Sequence, residues 1–176
     1  MRTKLVLIVL LARCLFPPVH AAAQVAGTNS PPAGKDGLLL VAPTHDEPLR
    51  LTVDDLKTMK HLTVKVHNPH TDRDETYDGV RLADLLAKVG TPLSAQLRGK
   101  ALSHYIVATG SDGYITVLAP AEVDPEFHPG EVLVADAMDR KPLDAHSGPL
   151  KLVVTDDRHP ARSVRNLVRV EVRVAP

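Results

Sequence analysis

Apolar residues in this chain come in short runs broken by polar segments that contain Pro, Gly, Asn and Asp. Leu38-Leu39-Leu40-Val41, inside Gly37 to Pro43, reads as a short buried strand. Thr52 is placed to cap a short helix, with Asp55 three residues on as a capping-box variant and Leu56 and Met59 facing inward. Leu62, Val64 and Val66 alternate with Thr63 and Lys65, which predicts a strand ending at His67. The polar stretch Asn68 to Arg73 predicts a turn, and Glu75-Thr76-Tyr77 a return in the antiparallel direction. Leu82, Leu85, Leu86 and Val89 repeat at helical spacing, so a helix is expected over Gly79 to Gly90, with Gly90 as its C-terminal stop.

Further on, Leu97 to Leu102 reads as a turn of helix or the entry to a strand. Tyr105 to Ala108 and Tyr114 to Leu118 flank Ser111-Asp112-Gly113 and predict a β-hairpin. Pro120 to Val123 predicts one helical turn, Val132 to Ala135 a strand, and Asp139 to Pro142 a turn. Near the end, Leu150 to Val154 is rich in β-branched residues, and in Val164 to Val174 the residues Val168, Val170, Val172 and Val174 share a face opposite Arg169, Glu171 and Arg173. These two runs read as a hairpin-like unit around a loop, Thr155 to Ser163, that carries Arg158, His159, Pro160 and Arg162. Strands interspersed with short helices predict one α+β domain with mixed sheets over residues 37–176.

The start of the chain has a different pattern. Arg2 and Lys4 precede an apolar stretch, Leu5 to Leu11, and Ala21-Ala22-Ala23 offers a small-residue cleavage site, the layout of a secretory signal peptide over residues 1–23. The stretch is shorter than the ~20 residues a membrane span needs. Arg13 directly before Cys14 argues against lipid attachment, and no twin-arginine pair is present, so export as an unfolded chain to the periplasm or outside the cell is expected. Residues 24–36 are rich in Ala, Gly, Ser, Asn and Pro and read as a flexible mature N-terminus.

Removing that leader takes Arg2, Lys4 and Arg13 from the 21 basic residues and none of the 21 acidic ones, so 18 − 21 leaves a formal charge of −3. Such a chain lacks the basic footprint of a nucleic-acid binder. The one cysteine, Cys14, would leave as well, taking with it any disulfide, thiolate ligand or Cys nucleophile.

Candidate chemistry gathers at three places. Arg158, His159, Arg162 and Arg165, with Lys151 nearby in sequence, could form an anion pocket, since guanidinium forks suit phosphate, sulfate or carboxylate. The same residues could instead pair with Asp156, Asp157 and Glu171 at the surface. His67 and His70 form an H-x-x-H pair beside Asp72, suited to zinc or copper if the fold fixes both rings, and otherwise exposed histidines of a polar loop. In Asp112-Gly113-Tyr114 the glycine permits the turn, and Tyr114 either packs the core or turns its hydroxyl to a ligand. No G-x-S-x-G, H-E-x-x-H or phosphate-loop motif is present, which leaves the hydrolase classes without support and the catalytic residues unassigned.

Several anchors stand in a recognisable order: Tyr77-Asp78-Gly79-Val80 with Leu82 and Leu85-Leu86, Asp112-Gly113-Tyr114, Val132 to Ala135, Pro142-Leu143, Gly148-Pro149-Leu150, then Arg158-Pro160-Ala161-Arg162 and Val164-Arg165. The series resembles the oxidoreductase molybdopterin-binding domain of the sulfite oxidase family, in a short exported form, over roughly Gly37 to Val174. The resemblance implies a mixed α+β fold holding a pterin-bound molybdenum, and oxygen-atom transfer or reduction of oxidised sulfur compounds. It also implies that Arg158 and Arg162 meet the phosphate of the pterin. Family enzymes bind molybdenum through a cysteine at the end of the strand corresponding to Leu62 to Val66, where this chain reads Val66-His67-Asn68-Pro69. The alternative is a periplasmic module that reuses the fold to bind a small anion or a protein partner without redox chemistry.

Overall fold

The computed structural model describes residues 37–176; the expected leader, residues 1–23, and the expected flexible segment, residues 24–36, lie outside the described residues. Two five-stranded sheets enclose the main core. The first contains β1 (Gly37–Val41), β2 (Leu49–Thr52), β5 (His104–Gly110), β6 (Ile115–Leu118) and β10 (Leu167–Val174), in the order β2-β1-β10-β5-β6. The second is built from β3 (Leu62–Asn68), β4 (Arg73–Arg81), β7 (Val132–Met138) and β8 (Lys141–Pro142) in that order, and β9 (Lys151–Val154) also pairs with β7. Three short helices complete it: α1 (Val53–Lys57), α2 (Leu82–Lys88) and α3 (Pro120–Val123).

Alternation decides what is buried. Leu38 and Leu40 of β1, Ile106 and Ala108 of β5, and Val170 and Val172 of β10 project from the first sheet into a cluster that Val80, Val134, Leu152 and Leu85 close from the other side. At the start of α1 the expected capping box is present: the Thr52 hydroxyl accepts from the Asp55 N–H at 3.1 Å, and the Asp55 carboxylate accepts from the Thr52 N–H at 2.8 Å. Gly90 ends the α2 segment with φ +70°, a conformation open to glycine. The hairpins β3–β4 and β5–β6 form as expected. The Asp139-Arg140 turn joins β7 to β8 with both residues at positive φ, as a tight hairpin requires. Gly99–Ser103 is a 3-10 turn. Among the described residues no helix is long and apolar enough to cross a membrane.

Three expectations are corrected. The helix does not begin at Gly79: Gly79 to Arg81 finish β4, and α2 starts at Leu82. Gly79 is needed there because a Cβ would lie 2.3 Å from the Val134 carbonyl oxygen, at a bulge in the β4–β7 ladder. The two C-terminal runs are not a hairpin. β9 pairs with β7 in the second sheet, whereas β10 lies between β1, parallel, and β5, antiparallel, in the first. The segment between them therefore crosses from one sheet to the other. Third, the valines of β10 do not all share a face. A bulge between Leu167 and Arg169 puts Leu167 into the main core and packs Val168 with Leu39 and Val41 in a separate cluster. Val174 is exposed.

Candidate functional site

The crossing segment meets two other loops. The N–H of Ser111, in the β5–β6 turn, donates to the Asn166 carbonyl at 2.9 Å, and the Asn166 N–H donates to Ser147 at 2.9 Å. Asn166 Nδ2 donates to the His146 carbonyl at 2.9 Å. These bonds fix the floor of a cleft of about 600 Å³ lined by Ser111, Leu143, Asp144, Gly148, Asn166 and Val168, among others. The Gly148–Pro149 peptide is cis. A Cβ on Gly148 would meet the Leu143 side chain at 2.4 Å, so the chain covers this glycine itself.

None of the four residues expected to bind a cofactor lines this cleft. Arg162 is committed elsewhere: its Nε and Nη2 grip Asp157 at 2.9 and 2.6 Å, and its Nη1 donates to Glu122 at 2.6 Å. Burial pushes the Glu122 carboxyl up, but the Ala119 N–H and the Arg162 guanidinium outweigh it and hold its pKa below the usual value. Arg162 thus ties the loop to α3, close to the paired alternative the sequence left open. Arg158 and His159 are exposed. Tyr114 is half exposed and does not pack the core; its hydroxyl donates to the Ala161 carbonyl at 2.5 Å, bracing the loop from the β5–β6 turn. Arg165, next to Asn166, is exposed and meets the His146 ring.

A hydrogen-bonded chain that sequence reading missed runs across the second sheet. Lys151 Nζ donates to the Tyr77 hydroxyl at 2.6 Å, and that hydroxyl donates to Glu75 Oε2 at 2.6 Å. Asn68 Nδ2, at the end of β3, donates to Glu75 Oε1 at 2.6 Å. The ladders make this contact: Lys151 sits opposite Ala135, and Glu75 opposite Val66. The Tyr77 ring is buried among Ala135, Val153, Val64 and Met138. Burial pushes the Lys151 ammonium below its ordinary pKa, and the positive charge of Arg165 adds to that while Glu75 and Asp144 oppose it. Burial and the Glu75 carboxylate push the Tyr77 hydroxyl well above its ordinary value. Lys151 had one visible signal in the sequence, a lone cation that opens a strand of apolar residues.

At the H-x-x-H pair, His67 lies between Asp74, 3.1 Å from Nδ1, and Asp72, 3.5 Å from Nε2, and its side chain is more than half exposed. His70 is exposed, and its backbone N–H donates to Asn68. Among the described residues no group of three or more His, Cys, Asp or Glu stands where it could hold a metal.

The chain matches the oxidoreductase molybdopterin binding domain over residues 38–176. It belongs to that family. Its fold is also that of a solved relative, the sulfane dehydrogenase SoxCD from Paracoccus pantotrophus, with a TM-score of 0.60 at 18% identity. That likeness covers 78% of this chain and 38% of the other, so the chain spans well under half of the protein it resembles. Among curated proteins none matches significantly. The donors of the described residues do not suit the family's metal-bound pterin. Residues 37–176 contain no cysteine, the described residues offer no metal-holding set, and Arg162 already satisfies two carboxylates.

Proposed function

We propose that the chain is an exported small-anion-binding module on the molybdopterin-binding fold, without molybdenum redox chemistry. The carrying observation is the closed chain from Lys151 through Tyr77 and Glu75 to Asn68. It ends at the tip of β3, where the family resemblance expects a metal-binding cysteine and this chain has Val66-His67-Asn68-Pro69. A neutral imidazole or amide there supplies neither the charge nor the softness of a thiolate. The leader-like start, with its apolar run and Ala21-Ala22-Ala23, supports export to the periplasm or outside the cell.

Anion binding rests on Arg165, which pairs with no carboxylate among the described residues, and on Lys151, whose ammonium also donates to the Tyr77 hydroxyl. Burial is the main cause of the lowered Lys151 pKa and the charge of Arg165 adds to it, so an oxyanion near both cations offsets that repulsion while gaining charge-assisted hydrogen bonds. Thermal unfolding in phosphate or sulfate, against chloride at equal ionic strength, tests this. Saturable stabilisation by phosphate is expected, with affinity lost at least ~tenfold in Arg165→Ala. Equal stabilisation of both proteins would refute the site.

A further inference from the structure

A second cavity, about 480 Å³, shares Leu143 and Pro149 as a wall with the first cleft. Its interior is made by the bulge that requires Gly79. Asp78 pairs with Ala137 and Gly79 with Ala135, so Asp136 is the extra residue of β7. A bulged residue leaves the ladder and re-aims its side chain. Asp136 turns into the cavity, where its side chain is 8% exposed and accepts from His61 Nε2 at 3.0 Å. His61 Nδ1 lies 3.0 Å from the Met59 carbonyl. Both ring nitrogens thus lie against acceptors of the chain itself, so the ring turns no N–H toward a ligand.

The charged groups of the lining differ in exposure. Asp136 is nearly buried and Asp78, which accepts from the Thr63 hydroxyl, is half-buried, whereas Arg140 and Lys141 are exposed and the Lys57 side chain is 59% exposed. Val53, Pro142 and Leu143 supply apolar walls. The volume lies in the range of small-molecule sites, ~300–1,000 Å³. An anion would meet two carboxylates, and a simple amine would meet three cations that give it nothing. A bare metal ion has no three-donor group here among the described residues.

We propose that this cavity binds a small zwitterion, an α-amino acid with an aliphatic side chain, its ammonium turned inward to Asp136 and Asp78 and its carboxylate outward to Arg140 and Lys141. The side chain lies on Val53 and Leu143. Calorimetric titration of the full chain with L-valine, L-leucine, L-leucinamide and N-acetyl-L-leucine tests the assignment. L-Valine or L-leucine saturates the protein, and N-acetyl-L-leucine, which lacks the ammonium, binds at least ~tenfold more weakly. Asp136→Asn weakens L-leucine by at least ~tenfold. Because that change could disturb the bulge, the exposed pair Arg140→Ala with Lys141→Ala is measured too. It weakens L-leucine and leaves L-leucinamide unchanged. No saturation by either amino acid at millimolar concentration, equal binding of the acetylated ligand, or L-leucine affinity unchanged in the Arg140/Lys141 double variant would each overturn the proposal.

Discussion

Arg162 and Arg165 stand three residues apart on the same crossing segment, and the fold gives them opposite work. Arg162 spends its whole fork on Asp157 and Glu122 and fastens the loop to α3. Arg165 is exposed, pairs with no carboxylate among the described residues and meets the His146 ring, and it adds its charge to the field at Lys151. A run of arginines in a loop therefore does not by itself mark a ligand site. What separates the two is whether carboxylates of the same chain reach the guanidinium first, and Glu122 reaches Arg162 from 40 residues away in sequence.

The difference between the two arginines is tested most strongly by Arg162→Ala. It leaves two partly buried carboxylates facing each other unpaired, and should cost about 2 kcal/mol, less than a fully buried network because the site is about a third exposed. Denaturant unfolding should show that loss while the phosphate response persists. Next comes Lys151→Met. The Tyr77 hydroxyl keeps Glu75 but Glu75 loses its nearby cation, so stability should fall by about 1 kcal/mol and the phosphate response should weaken with it. Arg165→Ala should change stability by no more than about 0.5 kcal/mol and yet weaken phosphate ~tenfold. If it destabilises as much as Arg162→Ala, the two arginines are doing the same job.

The smallest effect comes from a pair that titrates where neither arginine does. Burial disfavours charged His61, but the Met59 carbonyl and the Asp136 carboxylate outweigh it, and its pKa lies above the ordinary histidine value. The folded pKa exceeds the unfolded one, so the stabilisation is full below ~6.5 and fades as pH rises through the folded value. Unfolding free energies measured from about pH 6 to 8 should decline slightly in the parent protein, and that decline should be absent in His61→Gln.

Most elements were legible because their signals are local: the Thr52–Asp55 capping box, the β3–β4 and β5–β6 turns, and the helical spacing of Leu82, Leu85 and Leu86. The family was legible too, from an ordered series of anchors and not from any single motif. What escaped was set by pairing between distant strands. The parallel contact of β1 with β10 removes β10 from β9, and nothing within residues 150–174 announces it. The start of α2 was misplaced because Gly79 serves the bulge against Val134, a constraint that only the β7 partner imposes. The Lys151–Tyr77–Glu75 chain was invisible for the same reason, since it joins β9 to β4 across β7.

Whether this family member carries the family's metal decides between a redox domain and an anion-binding module. Protein purified from its native compartment without added cofactor should be analysed for molybdenum and for released pterin, each as moles per mole of chain. Neither is expected above trace level. One molybdenum and one pterin per chain would contradict the proposed function.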